Sequence, residues 1–140
     1  MDSTELYLSP TSQLDSQSGF FGNISQLDWL ALITRIKNEV LGQNYQLSVN
    51  IVDADTIKNL NKTWRQKDHS TDVLSFPYGD DEGELFLCPE IIAQRFEDYG
   101  RSIDNFVMFL VVHSLHHLKG LDHGPAMEEA EKTTRTKFKI

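Results

Sequence analysis

The stretch Phe106-Val107-Met108-Phe109-Leu110-Val111-Val112 constrains the fold more than any other, because it runs straight into a cluster of histidines. Seven consecutive apolar residues offer no polar side, so the segment they form is covered by the rest of the chain on most sides. A buried strand is one solution. The apolar pattern continues through Leu115 to Leu118, however, and only Gly120 stops it, so its length predicts a helix over about 103–119.

The other elements must supply the cover. Trp29, Ile33, Ile36 and Val40 recur at helical spacing and predict an amphipathic helix over 26–41, with Ser25 as N-cap and Gly42 just past its end. Leu47, Val49 and Ile51 alternate as a strand with a buried face. Asp53 or Asp55 caps a helix in which Ile57, Leu60 and Trp64 share one face. A second strand is predicted over 71–78, stopped by Pro77 and the turn-forming run from Gly79 to Gly83. A third follows over 84–88, and Pro89 opens a helix reaching about Tyr99. The last helix starts at Gly124-Pro125, with Glu128, Glu129 and Glu131 early and Lys132, Arg135 and Lys137 late, an order that suits the helix dipole. Ahead of all these, Leu6 and Leu8 around Tyr7 predict a short edge strand, and a loose polar loop fills the remainder of residues 1–24.

At 140 residues the chain has the length of one domain, taken here as 1–140. Thirteen Lys and Arg against 21 Asp and Glu leave a net charge of −8, which excludes a generic polyanion binder and confines any nucleic-acid contact to a local basic patch. Cys88 is alone, so no internal disulfide forms and a reducing compartment is expected. The apolar run is far too short for a membrane span, and the first 25 residues hold neither Lys nor Arg nor a signal-like apolar block. A soluble cytoplasmic protein without a membrane partner is expected.

Four of the five histidines, His113, His116, His117 and His123, lie within eleven residues. His113 and His117 are four apart, so on a helix their imidazoles share one face. Gly120 then breaks the helix and lets the chain return, bringing His123 to the same point in space. Two imidazoles from a helix and one from the following turn make an open three-nitrogen site, which suits one Zn²⁺ with a fourth position free. A closed structural site would ordinarily use cysteines, and only Cys88 is present. His116 points off the axis of the pair, toward solvent or a position behind the ligands. Asp122 either orients an imidazole or caps the turn. Two-histidine helical peptidase motifs place a glutamate directly after the first histidine as general base, and here that position is Ser114.

A second patch, Asn61-Lys62-Thr63-Trp64-Arg65-Gln66-Lys67, carries three positive charges and no acid. The guanidinium of Arg65 matches phosphate oxygens with two parallel hydrogen bonds. Beyond it, Thr71 and Ser75 can bond either a substrate or the backbone.

Together these two blocks resemble the YbeY family of single-strand-specific endoribonucleases. Asn61-Lys62-Thr63-Trp64-Arg65, followed by Thr71-Asp72-Val73-Leu74-Ser75-Phe76-Pro77, carries one half of the resemblance. His113-Ser114-Leu115-His116-His117-Leu118-Lys119-Gly120-Leu121-Asp122-His123 carries the other, and the likeness spans roughly residues 45–125. The chain departs from the family pattern at Ser114 (commonly Gly), at Ser70 (often Pro) and at Gly83-Glu84-Leu85 (Gly-Asp-Ile in the family), without losing a ligand.

The resemblance implies an α+β fold with a small mixed sheet packed by helices and the ligand helix at its centre. It implies zinc bound by His113, His117 and His123, with Arg65 on the scissile phosphate. It implies cleavage of single-stranded RNA, with either water or the RNA's own 2′-hydroxyl as nucleophile, in ribosomal RNA maturation and ribosome quality control. Catalysis then falls to Arg65 with His113 and His117 at the metal. The negative net charge makes affinity for bare RNA low and salt-dependent, so a ribosomal or assembly-factor partner is expected to deliver the substrate, and DNA is not expected as one. Two rival readings stand beside this one: a zinc peptidase or amidohydrolase, which Ser114 opposes, and a non-catalytic assembly factor whose zinc only braces the helix and turn.

Overall fold

Alternation of buried and half-buried residues along Gln46–Ile51 and Glu82–Leu87 builds the centre of a four-stranded mixed sheet. The computed structural model describes residues 4–8 and 26–140. Its elements are β1 (Thr4–Leu8), α1 (Gln26–Leu41), β2 (Gln46–Ile51), α2 (Ala54–Arg65), β3 (Val73–Pro77), β4 (Glu82–Leu87), α3 (Pro89–Arg95), a 3₁₀ turn (Phe96–Tyr99), α4 (Ile103–Leu118) and α5 (Pro125–Phe138). The strand order is β1-β2-β4-β3, with β1 and β4 parallel to β2 and β3 antiparallel to β4. The fold is the expected α+β arrangement, and β1 is the expected edge strand. The polar loop that follows it, and the Ser25 cap, lie outside the described residues.

Register puts Leu47 opposite Gly83, Val49 opposite Leu85 and Ile51 opposite Leu87. Apart from Gly83, these residues join Trp29, Ile33 and Ile36 of α1 and the apolar face of α4 in one core cluster. Residues from Phe106 to Leu118 of α4 are buried on nearly every side, since α1, α3, α5, β3 and β4 all touch that helix. The all-round apolar pattern therefore marks a central helix, and no described helix is long and apolar enough to cross a membrane. Ser102 caps α4 by accepting a hydrogen bond from the Asn105 amide at 3.2 Å. At the head of α2 the cap is Asp53, whose Oδ1 accepts from the Thr56 amide at 2.8 Å.

The opposite face of the sheet carries a smaller cluster, Val52, Ile57, Leu74 and Cys88, beneath α2. Trp64 lies on the expected side of α2, lining a small apolar cleft with Leu60, Phe76 and Phe86, yet in the last turn of the helix it stays 67% exposed. Gly83 corrects an expectation. It belongs to β4 rather than to a turn, and the reversal is made by residues 78–81, closed by the Tyr78 amide donating to the Glu82 carbonyl at 2.8 Å.

Candidate metal centre

The C-terminal half of α4 supplies the site. His113 and His117 sit one turn apart and half-buried, their rings 4.7 Å apart between centroids. Gly120 adopts φ +98°, a region costly for any side-chain-bearing residue, while its amide donates to the His117 carbonyl and that of Leu121 to the His116 carbonyl. This reversal returns His123, whose ring lies 5.3 Å from His113 and 4.6 Å from His117. One nitrogen from each ring lies within 4.8 Å of the others. These are the three histidines whose spacing predicts convergence, and they are positioned to bind one metal ion.

The donor chemistry fits such an ion. A metal requires neutral imidazoles, and burial, together with the charge of His113, His123 and Arg65 when protonated, pushes the His117 pKa below its ordinary value. His113 Nδ1 faces Glu131 Oε1 at 2.8 Å, so this N–H donates to the carboxylate and Nε2 keeps its lone pair for a metal. Glu131 itself is buried, brought in from α5. Sequence reasoning missed it: the acidic head of α5 showed three glutamates, and helix-dipole compensation accounted for all of them. Asp122, the other candidate for this role, is exposed.

His116 is a correction. It faces neither solvent nor the other histidines but is 3% exposed, with its Nδ1–H donating to the Val112 carbonyl at 2.8 Å and Nε2 3.3 Å from Thr134 Oγ1. It braces α4 against the helix that carries Glu131.

A cavity of about 420 Å³ opens over the three histidines. Its charged lining, apart from histidine, is Arg65, Lys67 and Arg95 with a single carboxylate, Asp72, so an acidic protein presents a cationic cleft at this point. Arg65 is held at the rim: Nη2 donates to the Ser75 carbonyl at 2.9 Å, and its Cζ lies 5.6 Å from the Phe76 ring centroid. Its remaining N–H groups are left for another acceptor. Buried Asp72 accepts from Arg95 Nη1 at 3.1 Å and from Thr71 Oγ1 at 3.4 Å. The loop between α2 and β3 is tied down by Asn61 Nδ2, which donates to the His69 carbonyl, and by Ser70 Oγ, which donates to the Ala54 carbonyl. Thr71 and Ser75 thus serve this scaffold, Thr71 through its hydroxyl and Ser75 through its carbonyl.

Known proteins share this arrangement of elements and sequence. A family model described as Endoribonuclease YbeY matches residues 21–139. A protein named Endoribonuclease YbeY from Staphylococcus epidermidis is 34% identical over 77% of this chain and 78% of its own length. Another of that name from Alkaliphilus metalliredigens is 38% identical over 72% of this chain and 70% of its own. The solution structure of TM1509 from Thermotoga maritima superposes with a TM-score of 0.62 at 22% identity, covering 97% of this chain and 91% of that one, and shows the same fold. With matches of this extent, the chain belongs to the Endoribonuclease YbeY family.

Proposed function

We propose that this protein is a zinc-dependent endoribonuclease that cleaves single-stranded RNA in the cytoplasm. Its task is the maturation of ribosomal RNA and the quality control of ribosomes, with a ribosomal or assembly-factor partner delivering the substrate. The observation that carries this reading is the convergence of His113, His117 and His123 in the same cavity as a tethered Arg65. The three imidazoles would hold one Zn²⁺, which supplies Lewis acidity toward a phosphoryl oxygen and lowers the pKa of water.

The protein's own groups do the rest. Arg65, pinned by Ser75 and free to donate elsewhere, holds the scissile phosphate and offsets the charge that builds on its oxygens. Glu131 fixes the tautomer and orientation of His113. Lys67 and Arg95 give the cleft the positive charge that the chain as a whole lacks. Single strands suit such a cleft, because an A-form duplex keeps its bases stacked and its phosphates on a rigid, wide surface.

The test separates Arg65 from the ligands. Arg65→Ala is expected to retain zinc and fold while cleavage of single-stranded RNA falls by about two to three orders of magnitude, the usual loss for one transition-state donor. Unchanged cleavage would assign the nuclease signal to a contaminant and favour an assembly factor in which the metal only braces α4 and its turn.

A further inference from the structure

On the side where Tyr99 and Phe109 line it, the histidine cavity has an aromatic wall. The Tyr99 ring lies 4.7 Å from Phe106 and 5.8 Å from Phe109 between centroids, and Phe106 and Phe109 stack at 6.0 Å. Phe106 is fully buried, so Tyr99 rests on a fixed base while remaining 51% exposed. Phe109 also borders a second opening with His113, His123 and Arg135, so the wall is continuous with the metal centre.

Two arginines cover this wall, and although Glu128, Glu129 and Glu131 line the second opening as well, none pairs directly with either. Arg101 Cζ is 4.4 Å and Arg135 Cζ 5.2 Å from the centroid of the same Phe109 ring. Among the described residues neither forms an ion pair; Arg101 donates to the side-chain oxygen of Asn105. Burial first, and then the like charge of Arg135, hold the Arg101 pKa below its ordinary value. Attraction to the ring offsets part of this repulsion. In a chain of net charge −8 two unpaired arginines on one ring are a cost that an anionic ligand removes. Exposed aromatic faces beside such cations are what single-stranded nucleic acids use, since every base has a face to stack and every nucleotide a phosphate.

We propose that the Tyr99–Phe109 wall seats the nucleotides on one side of the scissile phosphate, a base stacking on Tyr99 and the neighbouring phosphates meeting Arg101 and Arg135. This rests on the single-strand ribonuclease reading and names the residues that grip the strand beside the reacting bond.

Fluorescence anisotropy with a short fluorescein-labelled 2′-O-methyl single strand tests it, using strands that carry one abasic nucleotide at each position in turn. Tyr99→Ala is expected to weaken binding of the full strand about 10-fold, within the range for one base–aromatic stack, and Tyr99→Phe to restore it. On one of the abasic strands the two variants and the wild type should bind alike. The Arg101→Gln, Arg135→Gln double variant should flatten the slope of log affinity against log salt by about 1.4, the share of two phosphates. An equal loss from Tyr99→Ala on every strand, no loss at all, or an unchanged salt slope would each overturn the proposal. Cleavage of unmodified RNA by the same wild-type preparation is scored separately. Absent cleavage with the Tyr99 coupling intact would remove the nuclease reading and leave this binding site standing.

Discussion

Glu131 Oε1 lies 2.8 Å from His113 Nδ1, although the two residues sit on different helices and are eighteen positions apart. The carboxylate is buried and the imidazole half-exposed, so the bond fixes the ring while its other nitrogen stays toward the cavity. Replacing the carboxylate by an amide keeps the size but weakens the acceptor and the basicity it confers on the ring. Glu131→Gln is therefore expected to lower zinc affinity about 10- to 100-fold with little change in fold, as read by competition with a chelating dye. Unaltered affinity would mean that α5 only packs against α4.

That pair also shows how far the sequence reaches. His113, His117 and His123 were legible because local geometry links them: a helical turn joins the first two, and a glycine-permitted reversal brings the third. The central place of α4 was legible because a helix without a polar side has no other place. Glu131 was not, since nothing local separates it from Glu128 and Glu129; the packing of α5 against α4 chooses it. Arg95 and Asp72 are likewise 23 residues apart and meet only through the packing of the folded chain. Trp64 shows a limit of another kind: helical spacing tells which way a side chain faces, as its shared cleft with Leu60 and Phe76 bears out, but not how deeply it is covered, and it stays 67% exposed.

Gly83 couples the sheet to the ligand helix. A Cβ built on it would come within 2.9 Å of Leu118 Cδ2 and meet the Tyr45 hydroxyl, both buried. Leu118 follows His117, so relief of that clash must shift the end of α4 or move the Tyr45 ring. Gly83→Ala is expected to cost about 1–3 kcal/mol in urea unfolding, as overpacking does, and to weaken metal binding as well. A variant of wild-type stability would show that this corner of the core yields freely.

Alkaline stability follows from two buried acids. Burial raises the pKa of the Cys88 thiol, and burial with the nearby carboxylates of Asp81 and Glu82 raises that of the Tyr45 phenol. As pH rises through about 9–10, the ordinary range of these groups, the unfolded chain releases protons that the folded chain keeps. The folded state then binds more protons, so the slope of unfolding free energy against pH is negative and stability falls. The urea midpoint should drop between about pH 8 and pH 10. Cys88→Ala should make that drop shallower, even with a lower starting midpoint. A midpoint that holds or rises over that interval would contradict this assignment.

A scan of the four clustered histidines separates two structural tasks that the sequence places side by side. His113→Ala, His117→Ala and His123→Ala each remove one of three converging nitrogens, and zinc bound per chain should fall steeply in all three. His116→Ala removes instead a buried ring that donates to Val112 and faces Thr134, leaving a void between α4 and α5. It should keep the metal and lose about 2–4 kcal/mol of stability, combining a lost buried hydrogen bond with a cavity. The neighbouring position thus supplies an internal control: the same substitution, one residue away on the same helix, changes stability without changing stoichiometry. If His116→Ala loses zinc while His117→Ala retains it, the face of α4 assigned to the metal is wrong, and the Glu131 contact would then orient a ring with no ligand role.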